Sequence, residues 1–131
     1  MLRIKKDVWN AIIVQARCEA PLEACGYLAD KEGVVARHFP LTNVDASAEH
    51  YSLQPEEQFA AVRQMRAAGL KLRAVYHSHP ASPARPSEED IKLAHDQSIS
   101  YVIVSLLEGR EAVRSFWICG SVVTPEEIEI L

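Results

Sequence analysis

The spacing of apolar positions divides the chain into alternating helical and extended segments. Trp9, Ile12, Ile13 and Ala16 recur at helical intervals, which predicts an amphipathic helix over 6–19, stopped by Pro21. Short apolar runs at 25–29 and 34–39 flank Asp30-Lys31-Glu32-Gly33 and read as a hairpin. Residues 51–53 read as another short strand. Pro55 sits at a first helical position, and Phe59, Val62 and Met65 continue a helix that Gly69 ends. Residues 72–76 form a buried strand that runs straight into His77. A helix over 87–97 follows, then strands at 101–107 and 112–119 joined by Glu108-Gly109-Arg110-Glu111. Val122 and Val123 add an edge strand before an acidic tail. Helices alternate with strands and the chain closes on a hairpin meander. This is an α/β or α+β pattern: a mixed sheet with helices packed against it, and not a purely parallel one.

Length and composition narrow the function classes. At 131 residues, 1–131 reads as one domain. Hydrophobic residues make up 48% and charged residues 24%, which argues against overall disorder. The net charge is −4, with no dense basic run, so binding to nucleic acid through phosphate neutralisation is not expected. No apolar run is long enough to cross a bilayer, and residues 1–10 carry no signal-type apolar stretch. A cytoplasmic protein is the expectation. Cys18, Cys25 and Cys119 have no C-x-x-C spacing, so neither a disulfide scaffold nor a zinc ribbon is indicated. At least two of them are expected to be small buried residues.

Candidate chemistry concentrates between Tyr76 and Asp90. In a strand, residues i and i+2 share a face, so His77 and His79 can present two imidazoles side by side. A proline-rich turn, Pro80 to Pro86, can bring Asp90 back over the strand end. Two nitrogens and one carboxylate oxygen leave a fourth position open, the catalytic pattern of zinc. Ser87-Glu88-Glu89-Asp90 also reads as a helix capping box, a purely structural use of Ser87 and Asp90. Hydrolysis further needs a group to move protons. Glu23, in Pro21-Leu22-Glu23-Ala24-Cys25-Gly26, is the candidate, because desolvation beside a buried strand raises a carboxyl pKa. The alternative is a solvated loop glutamate. His38, His50 and His95 have no assigned role, and Tyr51 and Trp117 read as core or sheet-face aromatics.

His77-Ser78-His79-Pro80, the seven residues 80–86, Ser87, two residues and Asp90 resemble the JAMM motif of the MPN+ metalloprotease family. The segment from Pro21 to Leu28 resembles that family's upstream glutamate segment. The resemblance implies a cytidine-deaminase-like fold, a curved mixed β-sheet flanked by helices, known as the JAB/MPN domain. It implies His77, His79 and Asp90 as ligands of one zinc per chain. It implies Glu23 as general acid/base and Ser87 as the stabiliser of the tetrahedral oxyanion. Family members cut bonds after the C-terminal glycines of ubiquitin-like proteins. Short members of bacterial type resemble processing enzymes for ubiquitin-like sulfur carriers, and such a carrier is the expected substrate. The oligomeric state is not readable. A non-catalytic MPN-type scaffold is the alternative, although all motif positions are present. A zinc deaminase is not supported, because the later P-C-x-x-C element is absent.

Overall fold

The computed structural model describes residues 1–131 throughout, as eight strands and three α-helices. In chain order these are β1 (Leu2–Ile4), α1 (Lys6–Glu19), β2 (Cys25–Lys31), β3 (Val34–Leu41), α2 (Pro55–Ala67), β4 (Lys71–His79), α3 (Glu88–Leu93), β5 (Ser100–Ser105), β6 (Ala112–Cys119), β7 (Val122–Glu126) and β8 (Ile128–Ile130). The strand order is β7-β6-β5-β4-β2-β3-β1-β8. β4 and β5 run parallel, as do β1 with β3 and with β8, while the remaining pairs are antiparallel.

The order explains the curvature. β7 and β8 lie at opposite ends of the sheet, yet only Glu127 separates them in the chain. The sheet must therefore curl until its two edges nearly meet. The Leu2 N–H donating to Glu127 O at 2.8 Å ties the connecting residue to β1, the neighbour of β8. This is the expected curved mixed sheet flanked by helices.

Strand alternation gives the sheet two different faces. Ala74 and Tyr76 of β4 turn toward α1, with Leu28, Val102 and Val104 beside them. Val8, Ile12 and Ala16 of α1 cover that face at successive turns. The helix ends where Ala20, preceding Pro21, takes extended dihedrals (φ −54°, ψ 140°). The opposite face carries Val75, Tyr101, Ile103 and Phe116 in one cluster. Beside it, Cys25 and Phe39 pack on Ala61 and Met65 of α2. His77 and His79 share the parity of Val75, so they project from this second face.

Several expectations are corrected. Residues 51–53 form no strand; Leu53 makes an isolated antiparallel bridge with Asn43, outside the sheet. The Asn43 side chain takes over the hydrogen bonding there, since its Oδ1 accepts from the N–H groups of Asp45 and Ser52. The helix expected over 87–97 is only Glu88–Leu93. It stops before a turn in which Asp96 Oδ1 accepts the Ser98 N–H at 2.8 Å and Tyr101 Oη donates to Asp96 O. β1 and β8 were not expected, being too short for their alternation to stand out. Of the cysteines only Cys25 is buried, while Cys18 and Cys119 are exposed. Trp117 is half-buried beneath the Arg73 guanidinium, a sheet-face aromatic as expected.

Gly26 of β2 lies opposite Tyr76 of β4. A methyl group at Gly26 would collide with the Tyr76 ring and with Phe39 O, which is backbone and cannot move aside. Gly26→Ala is expected to cost about 1–3 kcal/mol through overpacking. Thermal denaturation should show a Tm lowered by roughly 3–12 °C at this chain length. An unchanged Tm would mean the β2–β4 pair is less tightly packed than described.

Candidate metal centre and catalytic site

Three ligand atoms converge at the end of β4. His77 Nε2 and His79 Nε2 lie 3.1 Å apart, and Asp90 Oδ2 is 3.1 Å from the first and 3.0 Å from the second. Each position has a local cause. The strand period places both imidazoles on one face. His79 Nδ1 donates to Pro83 O at 2.8 Å, which fixes its tautomer and turns Nε2 toward the cluster. The proline-rich turn thus supplies the orienting carbonyl as well as the bend. His77 is stacked on Tyr51, with ring centroids 4.6 Å apart and planes inclined by 25°.

Asp90 is aimed by its helix cap. Ser87 Oγ accepts the Asp90 N–H and Asp90 Oδ2 accepts the Ser87 N–H, both at 3.0 Å. The capping box exists, and the same carboxylate oxygen reaches the histidines. Cap and candidate ligand are one arrangement. Ser87 is exposed and its Oγ acts as acceptor in the cap, so its hydroxyl proton remains available to a substrate.

The electrostatics separate two carboxyl groups. Burial raises the Asp90 carboxyl, but hydrogen bonds from His77 and His79 outweigh it and hold the group well below the usual carboxylate range. Glu23 is 3% exposed, and desolvation pushes its pKa up to about 7 against the opposing pull of His79. Its Oε1 is buried with no hydrogen-bond partner. Burial lowers the His77 imidazole pKa. The Cys25 thiol is pushed up to about 12 by burial, and its Sγ donates to Leu41 O at 3.4 Å. Held on the Leu41 carbonyl, it lies outside the His77–His79–Asp90 group.

The donor set fits zinc. Tetrahedral zinc with bonds of about 2.0–2.1 Å separates its ligand atoms by about 3.3 Å. The observed triangle is close to that, and two imidazoles with one carboxylate match the chemistry of a borderline-soft ion. His77, His79 and Asp90 form a compact group that could hold a metal ion, and Glu23 stands outside it. The orphaned Glu23 oxygen fits a carboxylate that meets water or substrate beside the ion.

Three further residues build the site and carry no motif signal of their own. Ser78 turns away from the histidines; its Oγ accepts the Ala24 N–H at 2.7 Å and its N–H donates to Ala24 O at 2.9 Å. Asn43 Nδ2 donates to Glu23 O at 3.1 Å and to His50 O at 3.0 Å. Tyr51, expected only as a core aromatic, braces His77. The i+1 position of H-x-H was the available clue to Ser78, because strand parity sends it to the opposite face. His38 and His95 stay outside the cluster; His50 pairs with Asp45 at 3.0 Å. A groove of about 390 Å³ opens beside Asp90, walled by Tyr27, Tyr51, Leu53, Val75 and Tyr101.

Over its whole length the chain is 39% identical to the CysO-cysteine peptidase of Mycobacterium tuberculosis, of which it covers 92%. It shares a TM-score of 0.91 and 42% identity with the solution structure of a protein from Desulfitobacterium hafniense, covering 100% of this chain and 93% of that one. A structure described as a metalloprotease-like zinc site in the proteasome and signalosome shares the fold, with a TM-score of 0.66 at 19% identity and coverage of 100% and 98%. The family model for prokaryotic homologs of the JAB domain matches residues 5–119, and the chain belongs to that family.

Proposed function

We propose that the protein is a zinc peptidase that hydrolyses the bond following the C-terminal Gly-Gly of a ubiquitin-like sulfur-carrier protein. The carrying observation is the convergence of His77, His79 and Asp90 beside a buried glutamate with an unpaired oxygen. The name of the mycobacterial relative, a peptidase of CysO-cysteine, supports the substrate class.

His77, His79 and Asp90 would hold one zinc. When bound, zinc supplies Lewis acidity, polarising a substrate carbonyl and easing proton loss from water at neutral pH. Glu23 takes the proton of the attacking water. With a pKa near 7 it accepts that proton and can give it back, so it then protonates the departing amine. The Ser87 hydroxyl donates to the carbonyl oxygen as negative charge builds there. One such donor typically contributes about 2–4 kcal/mol to transition-state stabilisation. The groove beside Asp90 receives the carrier's tail. Glycines suit it there, because they let the substrate backbone approach the ligand cluster closely.

The direct test is mass spectrometry of a small ubiquitin-like carrier bearing one residue beyond Gly-Gly, incubated with zinc-loaded protein. The expected product ends in Gly-Gly, and an intact carrier would refute the proposal. Glu23→Gln should keep zinc and fold yet lower kcat by about 10²–10⁴-fold, the usual contribution of general acid–base catalysis. Undiminished turnover would mean that another group moves the proton.

The Glu23 burial also sets a pH dependence in metal-free protein. Its pKa is near 7 folded and 4.5 ordinarily, so above pH 4.5 the unfolded chain releases this proton first. Its contribution to stability is full below pH 4.5 and is lost as pH rises to about 7. Glu23→Gln, which stays neutral, should gain stability relative to the unaltered protein across that window. Urea denaturation at pH 4 to pH 8.5 or so reads the difference. Parallel curves for the two proteins would show that Glu23 is better solvated than the structure indicates.

A further inference from the structure

Across the 80–86 turn from the apolar groove lies a second hollow, of about 450 Å³, lined in part by Pro83, Arg85, Ser105, Glu108, Arg110 and Arg114. Its charge opposes that of the chain, which is −4 overall. All three arginines are exposed, and none forms a salt bridge. Arg3, Arg17 and Arg73 are each paired with a glutamate, while Arg37, Arg63 and Arg66 also have no salt bridge; what sets Arg85, Arg110 and Arg114 apart is that they gather around one hollow. Glu108 borders the hollow without neutralising any of them.

The sheet register ties this hollow to the ligand cluster. His77 lies opposite Ile103 of β5, and Ile103 lies opposite Arg114 of β6. Directly opposed residues share a face, so Arg114 projects from the same face as His77, two strands or roughly 10 Å away. Arg85 sits in the turn that links His79 to Ser87 and whose Pro83 carbonyl orients His79. The apolar groove thus opens at Asp90, and the guanidinium-rimmed hollow lies along the turn that joins His79 to Ser87.

We propose that this basic hollow binds the free α-carboxylate of the residue released by cleavage. The inference rests on the peptidase reading above and deepens it. When the leaving group is one C-terminal amino acid, its carboxylate lies two bonds beyond the scissile nitrogen, a fixed negative charge next to the reacting centre. Guanidinium groups bind carboxylates through paired, charge-assisted hydrogen bonds. The acyl side, an uncharged Gly-Gly backbone, has no need of them and suits the apolar groove. The enzyme is therefore built for a carrier extended by a single residue. A lysine side chain inside a conjugated protein presents no carboxylate at that place.

The test uses two peptides ending in Gly-Gly-Ser, one with a free α-carboxylate and one with an α-carboxamide. Each is titrated calorimetrically into zinc-loaded Glu23→Gln protein, alone or combined with Arg85→Gln, Arg114→Gln or, as a control on α2, Arg63→Gln. The free acid should bind about tenfold or more tightly than the amide, the size of one charge-assisted hydrogen bond. That preference should shrink in the Arg85 and Arg114 variants and persist in the Arg63 variant. Equal affinity for acid and amide overturns the proposal, as does a preference that survives both substitutions. Loss of affinity for the whole carrier without any acid–amide difference also overturns it, pointing instead to acidic side chains on the carrier's body. Carrier cleavage by the unaltered enzyme is followed in parallel, so failure of the peptidase activity registers separately from failure of this subsite.

Discussion

The site depends on a pair of hydrogen bonds between Ser78 and Ala24. The Ala24 N–H donates to Ser78 Oγ at 2.7 Å, and the Ser78 N–H donates to Ala24 O at 2.9 Å. Through them the segment carrying Glu23 is locked to the strand carrying both histidines. The antiparallel pairing of Cys25 with His77 continues the lock into the sheet. A carboxyl group that trades protons with a reacting centre must keep its place to within a fraction of an ångström. Here that place is set by buried backbone and one hydroxyl, with Asn43 holding the Glu23 carbonyl from the other side. Gly26 completes the arrangement by letting β2 close on Tyr76 without a side chain between them.

The same architecture gives two carboxyl groups opposite affinities for protons. Asp90 meets two imidazoles and the Ser87 amide, so it stays ionised. Glu23 loses solvent and gains no hydrogen bond at Oε1, so its proton affinity approaches neutrality. Such environments leave one acid ionised and the other able to exchange protons near neutral pH, matching the roles proposed for them. That division is what a hydrolytic reaction at neutral pH needs.

Much of this was legible in the residues alone. The H-x-H pair, the spacing to Asp90 and the apolar run into His77 pointed to the convergence of His77, His79 and Asp90. Helix α1 matched its 3.6-residue periodicity from end to end. The unread features were those with no local pattern. β1 and β8 are three-residue strands whose role arises from joining the sheet's ends, a property of topology and not of propensity. The helix after Ser87 is short because Asp96, Ser98 and Tyr101 form a competing turn. Tyr51 looked like any core aromatic, since nothing in the sequence indicates that it stacks on His77. The cap and candidate-ligand readings of Asp90 are compatible, because a single oxygen meets both the Ser87 amide and the histidines.

The central claim is that His77, His79 and Asp90 are the protein's ligands to one zinc, with Cys25 excluded. X-ray absorption spectroscopy of zinc-loaded protein tests it most directly. The expected spectrum has only nitrogen and oxygen neighbours at about 2.0–2.1 Å, with the outer-shell scattering of two imidazoles. A sulfur shell near ~2.3 Å, or the imidazole signature of only one histidine, would contradict it.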